Sequence, residues 1–124
     1  MRMKRSRVKT YHLKTAIPQK DKELNTYVVY GEPIAFSGEV WPASGKVQAE
    51  MYGERLSYIR NVKVGGTYVT VTGPEGRTHY VYPSGLDIIE NDGLCLYVDS
   101  DAKPDYRIIS IKPYEPLRLE AEKL

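Results

Sequence analysis

Acid–base chemistry in this chain would depend on its two histidines, His12 and His79. Histidine is the side chain whose ordinary pKa suits proton transfer near neutral pH. A hydrolase would also need a nucleophile held against that base, and signatures such as Gly-x-Ser-x-Gly or His-Glu-x-x-His mark such arrangements. Neither signature surrounds His12, which lies among basic residues, or His79, which precedes Tyr80. The pattern predicts structural histidines and a protein that is not an enzyme.

The acidic segment at residues 99–105 has the composition of a calcium loop but not its spacing. A twelve-residue loop starting at Asp99 would place Lys103 at the fifth ligand position, Pro104 where glycine is needed and Ser110 where the bidentate Glu belongs. The glycines at residues 65–67 and 73–76 lack the Gly-Lys-Ser/Thr ending of a phosphate-binding loop. We therefore expect a solvated loop, two turns, and neither a metal nor a cofactor.

The remaining reactive groups favour structural roles. A single cysteine, Cys95, excludes an intramolecular disulfide and a cysteine-cluster zinc site. Its apolar neighbours predict a small core residue. Asp87, Glu90 and Asp92 surround a turn, where carboxylates cap backbone N–H groups or pair across a subunit boundary.

Charge is unevenly spread along the 124 residues, although the net charge is only +2. Residues 1–14 hold six basic side chains and no acidic one, which leaves 12 basic and 16 acidic side chains in the rest, a net charge of −4. A basic amino-terminal arm at residues 1–7 can contact nucleic-acid phosphates or an acidic partner, or it can simply be a solvated terminus. The residues expected to make such contacts are Arg2, Lys4, Arg5 and Arg7.

Apolar residues recur at every second position through most of the chain, which is the period of a half-buried strand. The alternation predicts strands at residues 34–40 and 55–64, and at 117–122 an edge strand or a last helical turn. Residues that favour extended backbone predict further strands at 8–13, 67–72 and 79–82. Segments 94–98 and 106–111 are apolar on both faces, which predicts central strands. One helix is predicted at residues 44–53, capped by Ser44 and ended by Gly53, with Val47 and Met51 on one face. Residues 18–25 are charged and predict a long mobile loop.

Short strands joined by Gly and Pro predict an all-β fold. We expect a small β-barrel or sandwich of about six to seven short strands, with one short helix in a connecting loop. Residues 1–124 form a single domain in this prediction, because we find no internal repeat, low-complexity tract or domain boundary. The apolar runs are far shorter than the roughly 20 residues that cross a bilayer. No apolar segment follows the basic start to make a signal peptide.

Three segments resemble the small head-tail joining, or head closure, proteins of tailed bacteriophages and prophages. They are residues 41–56, which read WPASGKVQAEMYGERL, residues 85–93 and residues 105–111. The first segment is the most specific of the three. The likeness extends from about Tyr30 to Leu124, and residues 1–29 carry little of it.

The resemblance implies a β-barrel subunit of a ring that lies between the portal and the tail and surrounds the DNA channel. Its partners would be the portal protein, tail or neck proteins, DNA through non-specific contacts, and further copies of itself. We expect it in the virion neck, after assembly in the cytoplasm of the bacterial host, and not on a membrane. Each subunit of a ring needs two different faces, because ring contacts are heterologous. From their position in a polar connection, we expect Lys46, Glu50, Tyr52 and Arg55 to make subunit or portal contacts.

A small nucleic-acid-binding barrel, or another adaptor protein, is the alternative. Such barrels combine aromatic side chains with a basic groove. The chain interleaves tyrosines with basic residues, namely Tyr11, Tyr58, Tyr68, Tyr80 and Tyr82 with Lys9, Arg60, Lys63 and Arg77. The mildly acidic body argues against this alternative, since a dedicated binder is basic across the domain.

Overall fold

Six antiparallel strands close into a barrel, and two small sheets are attached to it. The structure is a computed structural model that describes residues 7–124. Among these residues the elements are β1 (Lys9–Lys14), β2 (Ala16–Lys20), β3 (Thr26–Tyr30), β4 (Ile34–Pro42), α1 (Lys46–Tyr52), a 3₁₀ helix (Gly53–Tyr58), β5 (Ile59–Val64), β6 (Val69–Thr72), β7 (Thr78–Val81), β8 (Asp87–Ile88), β9 (Gly93–Cys95), β10 (Tyr106–Lys112) and β11 (Leu117–Lys123).

The barrel has the strand order β1-β4-β5-β11-β10-β9 and then returns to β1. Alternate side chains of these strands point inward and form one core with Leu86 and Ile88. Leu13, Val62, Ile108 and Leu119 in this core are completely buried. The prediction of a small all-β barrel with one short helix is confirmed.

Strand β11 was predicted as an edge strand or a helical turn, and both alternatives are wrong. It lies between β5 and β10, with Leu119 opposite Val62 on one side and Ile111 on the other. Its inward residues Leu117, Leu119 and Ala121 are fully buried, so the clean alternation marks a barrel strand. The sequence could not distinguish the two positions, because an edge strand and a barrel strand with one covered face share the same period.

Residues 18–25, predicted as a mobile loop, instead form most of a β-hairpin. Strands β2 and β3 pair from Ala16–Tyr30 to Lys20–Thr26, and residues 21–25, three of which are charged, make the turn. Pro18 within β2 and the charges of the turn hid this hairpin, because proline and charge are both depleted in strands.

The second attached sheet has the order β6-β7-β8. Its first hairpin agrees with the turn predicted at residues 73–76, where the Gly73 N–H donates to the Arg77 carbonyl at 2.8 Å. Tyr68, Tyr80 and Tyr82 pack together where this sheet meets the barrel, with ring centroids 5.8 Å apart in each contacting pair.

Candidate functional site

The connection between β4 and β5 carries the only α-helix among residues 7–124. Helix α1 has seven residues, begins after Gly45 and ends at Gly53, whose φ of 55° favours glycine. The predicted bounds of 44–53 were therefore slightly too wide, and Ser44 does not cap the helix through its side chain. Residues 55–58, predicted as strand, belong to the following 3₁₀ helix. The helix is too short to be stable alone, and none of its residues is buried.

Gln48 attaches this helix to the outside of the barrel. Its side-chain amide donates to Asn61 Oδ1 at 2.7 Å and to Glu120 Oε2 at 2.7 Å. Its carbonyl oxygen accepts from Asn61 Nδ2 at 3.1 Å and from the Ser44 backbone N–H at 3.1 Å. Asn61 and Glu120 lie directly opposite each other on β5 and β11. One glutamine side chain thus bridges two barrel strands.

Glu120 is a buried carboxylate, with 1% of its surface exposed. Lys112 Nζ lies 3.5 Å from Glu120 Oε1, and the Tyr52 hydroxyl also interacts with this carboxylate. Burial alone would raise the pKa of Glu120, but the hydrogen bond from Gln48, the charge of Lys112 and the bond from Tyr52 together lower it. Glu120 therefore stays ionised beneath the helix at neutral pH.

Tyr52 and Arg55, two of the four predicted contact residues, are engaged within the chain. The Arg55 Nε donates to Glu122 Oε2 at 2.7 Å, and its guanidinium lies 5.8 Å from the centre of the Tyr52 ring. Burial, followed by the nearby Glu120 charge, raises the pKa of Tyr52 to about 12. Both side chains join the connection to β11.

Lys46 and Glu50, the other two predicted contact residues, point to solvent with no ion-pair partner in the described part of the chain. Val47 and Met51 accompany them and are 72% and 60% exposed. Residues three and four apart are neighbours on a helix, so these four side chains form one outward strip, Lys46, Val47, Glu50 and Met51. We refer to it as the helix strip.

A groove of about 410 Å³ runs beside the helix strip. Val47 and Met51 line one wall, and Lys112, Tyr114 and Arg118 of the β10–β11 hairpin line the other. Trp41 lies nearby, with Arg118 5.1 Å and Lys63 5.3 Å from its ring centre. The combination of exposed apolar side chains with a basic wall is suited to a protein partner that carries apolar and acidic groups.

The basic arm is described only at its last residue. Arg2, Lys4 and Arg5 lie outside the described residues. Arg7 is largely exposed, and its guanidinium lies 3.6 Å from the carboxylate of Glu39.

The tyrosines considered for nucleic-acid stacking do not form one exposed platform. Tyr11 is buried against Phe36, and Tyr82 is buried in the barrel core. Only Tyr58 of the five is exposed over about half of its surface, and Arg60 is hydrogen-bonded to the Ser57 carbonyl and to Tyr97.

Four of the residues considered for acid–base or metal chemistry have structural partners, namely His79, Asp87, Asp92 and Asp105. His79 Nδ1 lies 2.9 Å from Asp87 Oδ1, and its Nε2 faces Gly73 so closely that a Cβ there would clash. Asp92 accepts from two backbone N–H groups, and Asp105 accepts from those of Leu96 and Tyr97. Within residues 7–124 no three His, Cys, Asp or Glu side chains are grouped to hold a metal. Burial raises the pKa of Cys95, which makes its thiol less reactive.

Sequence reasoning missed Gln48, Asn61 and Glu120 as the residues that hold the helix. Asn61 and Glu120 are on the outward positions of their strands, where alternation predicts exposure. The one signal in the sequence was the helix predicted at residues 44–53, which carries Gln48. A helix in a connection between strands has to lie over some part of the sheet, and polar strand residues beneath it would then be buried.

Comparison with known proteins returned no matching family model, no matching curated protein and no matching solved structure. Within the described residues, none of the helical segments has the length and apolar character needed to span a membrane.

Proposed function

We propose that this chain is a head-tail connector subunit of a tailed phage or prophage, which assembles into a ring between portal and tail around the DNA channel. The proposal combines the resemblance of residues 41–56 with one structural observation. The most specific part of that resemblance includes a short helix, none of whose own residues is buried, which Gln48 nevertheless fixes to two barrel strands. A rigidly held, solvent-facing helix is suited to contacting a partner, because little entropy is lost on binding.

In this proposal the helix strip and the adjacent groove bind the portal protein. Val47 and Met51 supply apolar contact area, while Lys46 and Glu50 supply polar contacts at the rim. Tyr52 and Arg55 act indirectly, by fixing the end of the connection through Glu120 and Glu122. The basic arm contributes contacts to DNA or to an acidic neighbour, and tail or neck proteins bind the opposite end of the ring.

Replacing the exposed apolar pair tests the proposal. The variant Val47→Ser/Met51→Ser should bind the portal protein encoded near this chain at least tenfold more weakly, measured by pull-down and calorimetry. Its thermal midpoint should change little, because both side chains are exposed. Val98→Ser removes an exposed apolar side chain elsewhere and is the matched control. Unchanged portal binding by the double variant would refute the proposed contact surface, and no portal binding by the natural chain would refute the function.

A further inference from the structure

The attached sheets are the places where this fold leaves strand edges unpaired. A closed barrel has no edge, so its six strands offer none. Among the described strands, the two-stranded sheet ends in β2 and β3, and the three-stranded sheet ends in β6 and β8. An unpaired edge presents a row of N–H and C=O groups to any strand that can reach it.

Two of these four edges are protected. The Gly31 N–H donates to the Thr15 carbonyl, and the Asp21 N–H donates to the Asn25 carbonyl. Since hydrogen-bonded and non-hydrogen-bonded pairs alternate along an antiparallel ladder, these two bonds fix which residues of the hairpin turn their backbone groups outward. By that alternation the backbone groups of Ala16, Pro18 and Lys20 face the outer edge of β2. There Ala16 N–H is bonded to Asp92, Pro18 has no N–H, and Lys20 carries a charge. Strand β8 is protected by its length of two residues.

Strand β3 has an unprotected edge. The same alternation turns the backbone groups of Thr26, Val28 and Tyr30 outward. The strand reads TYVVY, with no proline, glycine or charge, and its first four residues are exposed. Within the described residues, no strand other than β2 pairs with it.

Strand β6 has the second unprotected edge. The bond from Gly73 N–H to the Arg77 carbonyl sets the alternation with β7, so the backbone groups of Thr70 and Thr72 face outward. The strand reads VTVT and is exposed along its whole length, with Val69 63% exposed. It too pairs on one side alone among residues 7–124.

We propose that β3 of one copy pairs with β6 of the next copy and so joins subunits through a continuous sheet. This inference rests on the proposed ring and specifies one of its contacts. The occupant is a second copy because one chain carries two unprotected, uncharged, β-branched edges of similar length, five and four residues. Two different edges give a heterologous contact, which is the kind that builds rings. The pairing also adds a third strand to a hairpin that is marginally stable with two.

Proline variants test the pairing, because they remove outward N–H groups without removing a hydrogen bond within either sheet. Val28→Pro protects β3 as Pro18 protects β2, and Thr70→Pro protects β6. Lys20→Pro alters an outward position on the edge that is already protected, and is the matched control. Each protein would be treated with an amine-reactive crosslinker at high concentration and examined by gel electrophoresis, after circular dichroism has shown that it is folded.

The natural chain and Lys20→Pro should both give a ladder of oligomers. Val28→Pro and Thr70→Pro should each remain monomeric alone. Their equimolar mixture should give dimers and nothing larger, since β3 of Thr70→Pro can still pair with β6 of Val28→Pro. This complementation is specific to a heterologous contact.

Other results would overturn the inference in distinguishable ways. Full ladders from both proline variants would show that the ring uses other surfaces, and would leave the proposed function standing. A natural chain that stays monomeric, both at millimolar concentration and on the portal protein, would overturn the ring itself. Should either proline variant be unfolded, Val28→Lys and Val71→Lys place a charge beside each edge, keep every backbone N–H, and should reproduce the same pattern.

Discussion

Asp92 shows how a single buried residue connects the hairpin to the barrel. Its Oδ1 accepts the Ala16 N–H of β2 at 3.0 Å, and its Oδ2 accepts the Ile89 N–H at 3.2 Å. Burial raises the pKa of Asp92 from 3.8 to about 6, against the opposing effect of these two hydrogen bonds. The folded protein therefore holds the Asp92 proton more tightly than the unfolded chain does. Its contribution to stability is fully present below pH 3.8 and is lost as the pH rises through 6.

We expect Asp92→Asn to change the pH dependence of stability. A shift of about two pKa units corresponds to about 3 kcal/mol lost by the natural protein between pH 4 and pH 7. Asparagine does not titrate, but its amide has one acceptor oxygen and cannot accept hydrogen bonds on both sides as the carboxyl group does. Loss of the second hydrogen bond should lower the free energy of unfolding by about 1–3 kcal/mol at all pH values. The variant should be less stable at pH 4, and the difference should shrink or reverse by pH 7, as measured by urea unfolding. Asp101→Asn, in an exposed loop, is the control. A constant difference across this range would contradict the expectation.

Trp41 is half-buried between two cations, and its substitution should be moderately costly. The Lys63 and Arg118 side chains lie against its ring, and each contact contributes about 0.5–1 kcal/mol at an exposed site. We expect Trp41→Ala to lower the free energy of unfolding by about 1–3 kcal/mol, less than the 3–5 kcal/mol of a buried tryptophan. Trp41→Phe should recover part of this loss. Equal unfolding midpoints for all three proteins would show that the ring contributes no stability.

At the scale of the elements, helix α1 depends on Gln48. Removing this side chain would leave the buried Asn61 amide without its two hydrogen bonds to Gln48, and would take one hydrogen bond from the buried Glu120 carboxylate. We expect Gln48→Ala to cost about 1–3 kcal/mol and to increase amide hydrogen exchange throughout residues 46–58. Val47→Ala, an exposed change in the same helix, should do neither. If exchange in the connection stays slow in Gln48→Ala, other contacts hold the helix.

The elements also show which parts of the fold sequence patterns can predict and which parts they cannot. Barrel strands such as β4 and β5 were predicted because one covered face imposes alternation, and β10 was predicted because its residues are apolar on both faces. The hairpin β2–β3 was missed because neither of its faces is covered, so no alternation marks it. The helix strip residues Lys46 and Glu50 are exposed, as their place in a polar connection suggested, and their role in contacts stays a prediction. The engagement of Arg55 with Glu122 was not predicted, because it joins residues 67 positions apart.

For the whole molecule, the proposals separate the fold into a framework and two kinds of contact surface. The closed barrel contains the core and presents no free edge. The helix strip is attached to β5 and β11, whereas the free edges belong to sheets outside the barrel. The proposed portal binding and the proposed subunit pairing would therefore use different residues, Val47 and Met51 for the first, and β3 with β6 for the second.

This separation predicts that the two activities can be lost independently. Val28→Pro should abolish the crosslinked ladder and leave binding of single subunits to the portal protein within twofold of the natural affinity. Val47→Ser/Met51→Ser should keep the ladder and lose portal binding. Combining both changes should give a folded monomer with neither activity, because changes at separate sites act additively. Calorimetry on portal protein and crosslinking of the isolated chain measure the two losses separately. If either variant loses both activities while remaining folded, the helix strip and the strand edges belong to one continuous surface.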